Sequence, residues 1–396
     1  MKILQLLPRF PWPLKDGGAI CFHNFAQAFI DAGNELTMAV LNTNKHHINF
    51  TDIPEHLREQ AQIYLIDINT DVNKKDAFLN LFTTQSYNVQ RFVSMEYEAL
   101  VVDLCKKNKY DIIIFESIFV APYLSAIRSV STAKCVLRAH NVEFKIWETL
   151  ANDTSSLPLK AYLHLLVKRL KRYEIKACNA FDVVFPITET DQNILQEHNV
   201  TTPMCIIPFG INVATMPSYL SPQRLTFFHL GSMDWQPNQL AVQWFIDNVW
   251  VYIAPQYPQA TFVIAGRNMP SHFLKYNNKH NIKVVGEITN AFDFMQSHAV
   301  QVVPIFAGSG IRVKIIEAMA LGKCIIATSL GAQGINYTID KNICIANDAT
   351  EFLKEIVLLI DEEQRIETIG KAAITLANEQ HNIKVLAQQL LNFSVN

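Results

Sequence analysis

Long apolar runs are missing from this sequence. No apolar stretch approaches the roughly 18 residues that a membrane-spanning helix needs. The N-terminal run ends at Pro8, which makes it shorter than the apolar core of about 7–15 residues in a secretory signal peptide. We therefore expect the first residues to form a β-strand and the protein to be cytoplasmic.

The cysteine pattern and the charge balance argue against a disulfide-stabilised protein and against a nucleic-acid-binding protein. The seven cysteines are scattered, odd in number and free of Cys-x-x-Cys pairs. This usage is typical of buried thiols in a reducing compartment and not of a disulfide framework. The net charge is −2, so the composition gives no reason to expect a nucleic-acid partner.

Several motifs of known chemistry are also absent. The sequence has no Walker A motif, no Gly-x-Ser-x-Gly elbow and no histidine pair at metal-ligand spacing on an apparent helix. We therefore predict neither a metal site nor a bound cofactor. A pair of catalytic carboxylates stays open, because their separation depends on the fold.

Short apolar strands alternate with helical patterns along the whole chain. The hydrophobic fraction is 49% and the length 396 residues, enough for two domains with substantial cores. Near-continuous apolar strands between helices indicate parallel sheets covered on both faces, an α/β fold. The predicted strands are KILQLL, ELTMAVL, IYLIDI, DIIIFES, AKCVLRAH, DVVFPIT, RLTFFHLGS, ATFVIAG, NIKVVGEI, AVQVVPIF, KCIIATS and NICIAN. We place the domains at 1–207 and 208–379, with 380–396 as a helix that could return to the first domain.

The stretch PIFAGSGIRVKIIEAMALGKCIIAT carries the most specific candidate site. It predicts a strand, a glycine turn and a helix whose opening carries Arg312, Lys314 and Glu317. Gly308 and Gly310 allow the backbone to approach a phosphate closely, and a helix N-terminus favours an anion. The two cations add formal charge, and Glu317 is placed to accept hydrogen bonds from a ribose. A capped helix with solvated charges is the alternative.

Other candidate residues follow predicted strands or open predicted helices. Gly17 and Gly18 open the first helix, where free N–H groups can bind an anion. Arg267 follows the strand ATFVIAG, at the edge where α/β proteins bind ligands, and is a candidate base or ribose contact. His140 ends another strand, and a histidine in such a place is often only structural.

These stretches resemble the GT-B glycosyltransferases, and specifically their large retaining family 4 of nucleotide-sugar transferases. The resemblance extends over nearly the whole chain. It rests on PRFPWPLKDGGAICFHNFAQAFIDAGNELTMAV, RAHNVEFKIW, CIIPFGIN, FHLGSMDWQPNQLAVQWF and PIFAGSGIRVKIIEAMALGKCIIATSLGAQGI, in the family's order. It implies two doubly wound Rossmann-like domains facing a central cleft, with acceptor bound by the first and donor by the second.

The resemblance also implies roles for individual residues. His140 would contact the transferred sugar, and Arg138 and Glu143 would orient it or contact the acceptor. The donor, a UDP- or GDP-sugar above all, would be bound by residues of both domains. The implied donor-binding set is Gly17, Gly18, Gly231, Arg267, Gly308, Ser309, Gly310, Ile311, Arg312, Lys314 and Glu317, with His140, Arg312 and Glu317 in the catalytic roles.

Two departures from the family pattern bear on activity. The family commonly has a glutamate where this chain has Ser309, and many members carry cations after the glycine that corresponds to Gly231. Here that loop reads Ser-Met-Asp-Trp, and we infer that Arg312 and Lys314 supply the missing charge. The family's GT-B members need no metal, and Asp67 to Asn69 does not form the Asp-x-Asp motif of metal-dependent GT-A enzymes.

One basic segment raises the question of contact with a membrane surface. Residues 157–177 carry six cations and one acidic residue, Glu174, beside an apolar stripe. We interpret it first as an ordinary domain helix whose basic face is solvated. Peripheral contact with an anionic membrane, on which a basic amphipathic helix can lie, is the alternative.

The sequence thus predicts an enzyme that moves a sugar from a nucleotide-diphosphate donor to a glycan or lipid-linked acceptor, in surface polysaccharide or glycoconjugate synthesis. Two alternatives stay open. A nucleotide-sugar 2-epimerase would share the fold, and a nucleotide-binding protein with a decayed site would fit the departures at Ser309 and after Gly231.

Overall fold

A computed structural model describes residues 1–14, 16–216, 225–308 and 310–395. The chain forms two compact units. Unit 1 comprises Met1–Gly210 and Ile383–Asn396, and unit 2 comprises Ile211–Asn382. Each unit has its own hydrophobic core built around one sheet.

Unit 1 contains six strands, ten α-helices and three short 3-10 helices among its described residues. The strands are β1 (Lys2–Leu7), β2 (Glu35–Thr43), β3 (Ala61–Ile68), β4 (Ile112–Phe115), β5 (Lys134–Ala139) and β6 (Val183–Pro186). The first nine helices are α1 (Gly17–Asp31), α2 (Glu55–Gln60), α3 (Lys74–Asn80), α4 (Tyr87–Gln90), α5 (Met95–Lys107), α6 (Leu124–Arg128), α7 (Glu143–Asp153), α8 (Leu157–Cys178) and α9 (Glu189–Glu197). The tenth helix of the unit is the last one in the chain, α16 (Ile383–Val395). The 3-10 helices are Asn44–His46, Phe50–Asp52 and Ile118–Tyr123.

Unit 2 repeats this alternation of strands and helices. Its strands are β7 (Thr226–Leu230), β8 (Thr261–Ala265), β9 (Ile282–Gly286), β10 (Val300–Val303), β11 (Cys324–Ala327) and β12 (Cys344–Ile345). Its helices are α10 (Gln236–Phe245), α11 (Val251–Ile253), α12 (Ala291–Gln296), α13 (Val313–Ala320), α14 (Ala349–Asp361) and α15 (Glu363–Gln380). A π-helical turn, Ile246–Trp250, joins α10 to α11, and Val213–Thr215 and Ser271–Tyr276 are 3-10 helices.

The two sheets have the same topology. Their orders are β3-β2-β1-β4-β5-β6 and β12-β11-β10-β7-β8-β9, and the strands pair in parallel. In each sheet the order reverses beside the first strand, at β1/β4 and at β7/β10. Side chains at the carboxyl ends of these strands therefore lie where doubly wound sheets bind ligands. The twelve predicted strands are all present, and the predicted α/β fold class is confirmed.

The final helix, α16, packs within unit 1 against α1 and β5. Its apolar residues Ile383, Leu386, Leu390 and Leu391 are buried. Gly210 lies so close to Ile383 that an added Cβ would stand 2.6 Å from the Cδ1 atom of that isoleucine. The chain thus leaves unit 1 and returns to it at one well-packed point.

The basic segment 157–177 belongs to α8, which packs into unit 1 as a domain helix. Leu163, Leu166 and Leu170 of its apolar stripe are buried in the cores of unit 1. Because these three side chains already contact protein, this part of the stripe is not available to enter a bilayer, whereas Leu159 is 49% exposed. None of the helices among the described residues has the length and apolar character to cross a membrane. All seven cysteines are free thiols, and only Cys205 is partly exposed.

Candidate active site

In unit 2, the turn after β10 leads into the N-terminus of α13. Gly308 and Gly310 have φ angles of +101° and +88°, a region that favours glycine. A Cβ on Gly308 would stand 2.8 Å from the ring of Trp235, so the turn also needs a residue without a side chain there. Ser309 lies outside the described residues, and Ile311 is half-buried.

Arg312 occupies the N-cap position of α13. Its guanidinium carbon lies 5.0 Å from the centre of the Trp235 ring, and its Nη1 donates to the carbonyl of Gly310. Burial lowers the pKa of this guanidinium, although a guanidinium stays charged at any physiological pH. A fixed cation therefore stands at the end of the helix where the helix dipole is also positive.

Lys314 and Glu317 form an ion pair one turn further along α13. The Lys314 Nζ atom lies 2.6 Å from Glu317 Oε2, and the glutamate is buried while the lysine is half-exposed. The carboxylate that we predicted to bind a ribose is thus paired with Lys314, a cation that we predicted to bind the diphosphate. A nucleotide would have to share or replace this contact.

The loop after β7, which begins at Gly231, meets the end of β8. Ser232 Oγ donates to Asp234 Oδ1 at 2.5 Å, and Arg267 Nη2 donates to Ser232 Oγ at 3.3 Å. Asn268 Nδ2 donates to the other oxygen of Asp234 at 3.0 Å, and these hydrogen bonds to Ser232 and Asn268 lower the pKa of Asp234. The loop has no cation of its own, and Arg267 brings one to it from the neighbouring strand.

His229 is buried directly below this loop. Its Nδ1 lies 3.0 Å from the carbonyl oxygen of Val302, and a Cβ on Gly231 would stand 3.1 Å from its Nε2. Burial lowers the pKa of His229 to about 4. The ring is therefore neutral at physiological pH, with Nδ1–H as the donor to Val302.

In unit 1, the carboxyl ends of β4 and β5 bring together a buried polar network. Glu116 Oε2 lies 2.8 Å from His140 Nε2 and 3.1 Å from Arg138 Nη1, and Gln5 Nε2 donates to Glu116 Oε1 at 2.6 Å. Both carboxylate oxygens are thus engaged. Because Glu116 can accept the proton of His140 Nε2, it fixes the orientation of the imidazole.

The charges in this network depend on one another. Burial alone would raise the pKa of Glu116, but the charge of Arg138 and the hydrogen bonds from His140 and Gln5 hold it below its usual value. Burial and Arg138 would lower the pKa of His140, and hydrogen bonds with Cys21 and Glu116 raise it overall. The network therefore favours an ionised Glu116 and a readily protonated His140.

His140 and Arg138 have unequal access to solvent. The ring of His140 keeps some exposed surface and packs edge-on against Phe22 at 4.9 Å. The side chain of Arg138 has none, and its guanidinium stacks 3.6 Å from the centre of the Phe25 ring. Of the two roles that the resemblance implies for Arg138, its buried position beside Glu116 and His140 fits the orienting one and leaves no side-chain surface for a direct acceptor contact.

The N-terminus of α1 is capped by protein. Asp16 accepts hydrogen bonds from the N–H groups of Gly18 and Ala19 at 3.0 and 3.1 Å. Arg9 pairs with the same carboxylate, and a Cβ on Gly18 would stand 2.6 Å from Arg9 Nη2. The Gly17–Gly18 turn does open a helix, but the N–H of Gly18 is engaged by Asp16, and the guanidinium of Arg9 lies beside it.

Glu143 begins α7, directly after the His140 segment. Glu174 of α8 accepts hydrogen bonds from the N–H groups of Glu143 and Phe144, both at 2.9 Å, and so caps α7. Burial raises the pKa of the Glu174 carboxyl to about 8, against the effect of these two bonds. Burial also raises the pKa of the Glu143 carboxyl, which accepts a long hydrogen bond from Asn141. This cap holds the segment that positions His140.

Sequence reasoning missed several members of these groups: Gln5, Arg9, Asp16, Cys21 and Glu116. Glu116 follows β4 directly, and Arg9 follows β1 within two residues. The rule that ligand sites lie at strand carboxyl ends marks both positions. Gln5 and Cys21 gave no comparable signal, because each lies inside a regular element among apolar residues.

One group among the described residues could hold a metal ion by ligand spacing alone. Side-chain atoms of Asp340, Cys344 and Glu355 lie within 4.8 Å of one another. Arg365 Nη2 contacts Asp340 at 2.8 Å and Glu355 at 3.2 Å. One guanidinium already bridges the two carboxylates, so the arrangement is that of a structural ion-pair cluster.

Comparison with known proteins begins with the sequence of unit 2. Residues 224–362 match the family model described as glycosyl transferases group 1. This segment includes Gly231, Arg267 and the whole Gly308–Glu317 turn. Over its full length the chain is 20% identical to an uncharacterised 44.6 kDa protein in the cps region of Klebsiella pneumoniae, with 97% of each chain covered.

Solved structures share the fold of the whole chain. HepE from Anabaena, solved in complex with UDP, aligns with a TM-score of 0.67 at 15% identity, covering 99% of both chains. Sucrose-phosphate synthase from Thermosynechococcus elongatus aligns with a TM-score of 0.67 at 17% identity, covering 99% of this chain and 98% of the other.

The fold of the chain is therefore GT-B. With the family match in unit 2, this identifies the protein as a glycosyltransferase.

Proposed function

We propose that this glycosyltransferase moves a sugar, with retention of anomeric configuration, from a nucleoside-diphosphate sugar to a hydroxyl of a glycan or lipid-linked acceptor. UDP- and GDP-sugars are the candidate donors. The Anabaena protein of the same fold has been solved with UDP and with UDP-glucose, which favours UDP. The cps-region relative supports a role in the synthesis of surface polysaccharide or glycoconjugate.

The observation that carries this proposal is the cationic N-terminus of α13. Arg312 occupies the N-cap position, and Lys314 is the second residue of the helix. Negative charge develops on the diphosphate as the sugar departs, and preorganised cations and helix N–H groups stabilise it. Glu317 is then placed to accept hydrogen bonds from the ribose hydroxyls. Arg267 would add a second cationic contact through the loop after β7.

Unit 1 would supply the contacts to the transferred sugar and the acceptor. His140 is the exposed member of the Glu116 network, and its fixed ring suits a hydrogen bond to a sugar hydroxyl. In the proposed reaction the bond between C1 of the sugar and the diphosphate oxygen breaks. The acceptor oxygen bonds to the same face of C1, and its proton passes to the departing phosphate. Such a front-face reaction needs neither an enzyme nucleophile nor a metal or cofactor.

The first test is a thermal-shift panel with UDP, GDP, ADP, TDP and CMP. We expect one diphosphate to raise the melting temperature by several degrees through binding to the folded state. Arg312→Ala should abolish that rise, and Lys354→Ala, which removes an exposed cation of α14, should preserve it. Stabilisation by no nucleotide, or an equal rise in all three proteins, would contradict the proposed donor site.

Product analysis with the stabilising donor then tests the reaction. Transfer requires an acceptor and yields a glycoside of the donor's anomeric configuration. Release of free nucleotide with an isomerised sugar and no acceptor would indicate an epimerase. Binding without turnover over a panel of acceptors would favour a decayed site.

A further inference from the structure

Four large apolar side chains on and after α3 are exposed to solvent. They are Phe78 (59% exposed), Leu79 (53%), Leu81 (37%) and Phe82 (78%), and we call them the apolar ridge. The rings of Phe78 and Phe82 pack edge-on with their centres 5.5 Å apart. Single exposed apolar residues are common, but a contiguous group of this size on a monomer marks an interaction surface.

The ridge faces outward because the other side of the segment is bound to α8. Ala77 packs on the small core formed by Leu163, Leu166 and other residues of unit 1. Arg169 of α8 donates to the carbonyl oxygen and the side chain of Asn80, at 2.9 and 3.0 Å, and to the carbonyl of Leu81 at 3.0 Å. The exposure of the ridge is therefore built into the packing and is not the fraying of a loose helix.

The start of the segment is fixed as well. Tyr87 uses its hydroxyl to donate to the Asn73 carbonyl at 3.1 Å and to accept from the Asn73 N–H at 3.0 Å. Asn73 in turn caps α3 through hydrogen bonds from the N–H groups of Lys75 and Asp76. Both ends of the segment are thus tied to the body of unit 1, and the ridge stands between them.

The segment that carries the ridge and the helix that holds it both bear exposed cations. Lys74 and Lys75 are exposed on α3, and Lys168 and Arg172 are exposed on α8, within one turn of Arg169. Against these four cations, residues 71–82 contain two acidic residues, Asp71 and Asp76. Apolar side chains with a cationic border are complementary to an anionic lipid surface, where phosphates face the cations and acyl chains take up the aromatic rings.

We propose that the apolar ridge and the bordering cations of α3 and α8 bind the surface of an anionic lipid bilayer. The apolar contribution comes from the ridge, and α8 supplies charge while its own apolar stripe stays in the protein core. This inference goes beyond the proposed sugar transfer and does not depend on it, since no residue of the ridge belongs to the donor or His140 groups. A protein that fails to bind nucleotides could still bind vesicles.

Co-sedimentation of the full chain with vesicles tests the proposal. We expect binding to vesicles of phosphatidylglycerol and phosphatidylcholine, and at least tenfold weaker binding to phosphatidylcholine alone. Phe78→Ser/Phe82→Ser should lower the partition coefficient at least tenfold. Lys168→Gln/Arg172→Gln should lower it several-fold and reduce its dependence on salt. The matched control is Leu240→Ser/Leu274→Ser, which removes two exposed leucines of unit 2 and should leave binding unchanged.

Three results would overturn the proposal. The first is equal binding to both kinds of vesicle, and the second is binding that the Phe78→Ser/Phe82→Ser variant retains. The third is a dimer in light scattering that this variant converts to a monomer while vesicle binding is absent, which would assign the ridge to a second copy of the chain. The melting temperature of each variant, and its shift with the stabilising nucleotide, report whether the fold and the donor site are intact.

Discussion

Glu116 binds His140 and Arg138 through the same carboxylate oxygen. Its Oε2 atom lies 2.8 Å from the imidazole and 3.1 Å from the guanidinium, and all exposed surface in this group belongs to His140. The carboxylate thus compensates a fully buried cation and orients a partly exposed ring. A change at Glu116 should therefore affect stability through the buried Arg138 and ligand contacts through the partly exposed His140.

Replacing Glu116 by Gln should destabilise the protein by about 3–5 kcal/mol, because the buried charge of Arg138 loses its compensation. Urea denaturation of the single variants and of Glu116→Gln/Arg138→Met provides the measurement. We expect the double variant to recover much of the lost stability, since it leaves no buried charge. Losses that simply add would show that the two residues do not interact as described.

A second prediction contrasts two glycines at the ends of β8 and β9. A Cβ on Gly266 would stand 1.7 Å from the carbonyl oxygen of Gly231, whereas a Cβ on Gly286 would meet nothing within 4 Å. Gly286→Ala should therefore lower the free energy of unfolding by about 1–2 kcal/mol, which is the strain of its positive φ. Gly266→Ala should cost at least about 3 kcal/mol, because backbone must move. Equal losses in urea denaturation would contradict the close approach at Gly266.

The Lys314–Glu317 pair gives a prediction for binding. Glu317→Gln removes the carboxylate proposed to hold the ribose, and we expect about tenfold weaker binding of the stabilising diphosphate by calorimetry, equivalent to about 1.4 kcal/mol. Glu367→Gln is the matched control, since Glu367 forms an exposed ion pair with Lys371 on α15. Unchanged affinity in Glu317→Gln would remove this residue from the proposed donor site.

His229 predicts a pH dependence of stability. Its pKa falls from the ordinary 6.5 to about 4 on burial, so between these values the unfolded chain binds a proton that the folded chain does not. Stability is therefore lost as the pH falls from about 6.5 to about 4. At about 1.36 kcal/mol per pKa unit, the full contribution is about 3 kcal/mol.

The His229→Asn variant should lack this part of the acid dependence. Unfolding free energies measured at several values between pH 4 and pH 7 will show a smaller slope than in the unmodified protein. The His280→Asn variant, which changes an exposed histidine, should retain the original slope. Identical slopes in all three proteins would show that His229 does not remain neutral on folding.

The fold could be predicted because its signal is repeated and local. Twelve apolar strands alternate with helices, and each strand is short and bounded by turn residues. The Gly308–Glu317 turn was also visible, since its glycines, cations and carboxylate are contiguous. Gly231 and His140 belong to no such contiguous motif, and their predicted roles came from the resemblance to the family.

The pairings between side chains could not be predicted. Sequence marks Lys314 and Glu317 as separate ligands, but their spacing of three residues on a helix also allows the ion pair that forms. The contact between Gln5 and Glu116 joins residues 111 positions apart, and only the sheet order brings them together. The sequence left two interpretations of α8 open, because periodicity identifies an apolar face without showing what covers it.

The return of α16 to unit 1 has a consequence for how the chain folds during synthesis. Unit 1 is encoded mostly by the first 210 residues, yet Ile383, Leu386 and Leu390 reach it only after unit 2 has left the ribosome. Until then the α1 surface that they cover stays open, and it offers a site for chaperones or for association between nascent chains. Completion of the N-terminal unit thus waits for residues 383–395, and a chain that lacks them would keep this part of the α1 surface open.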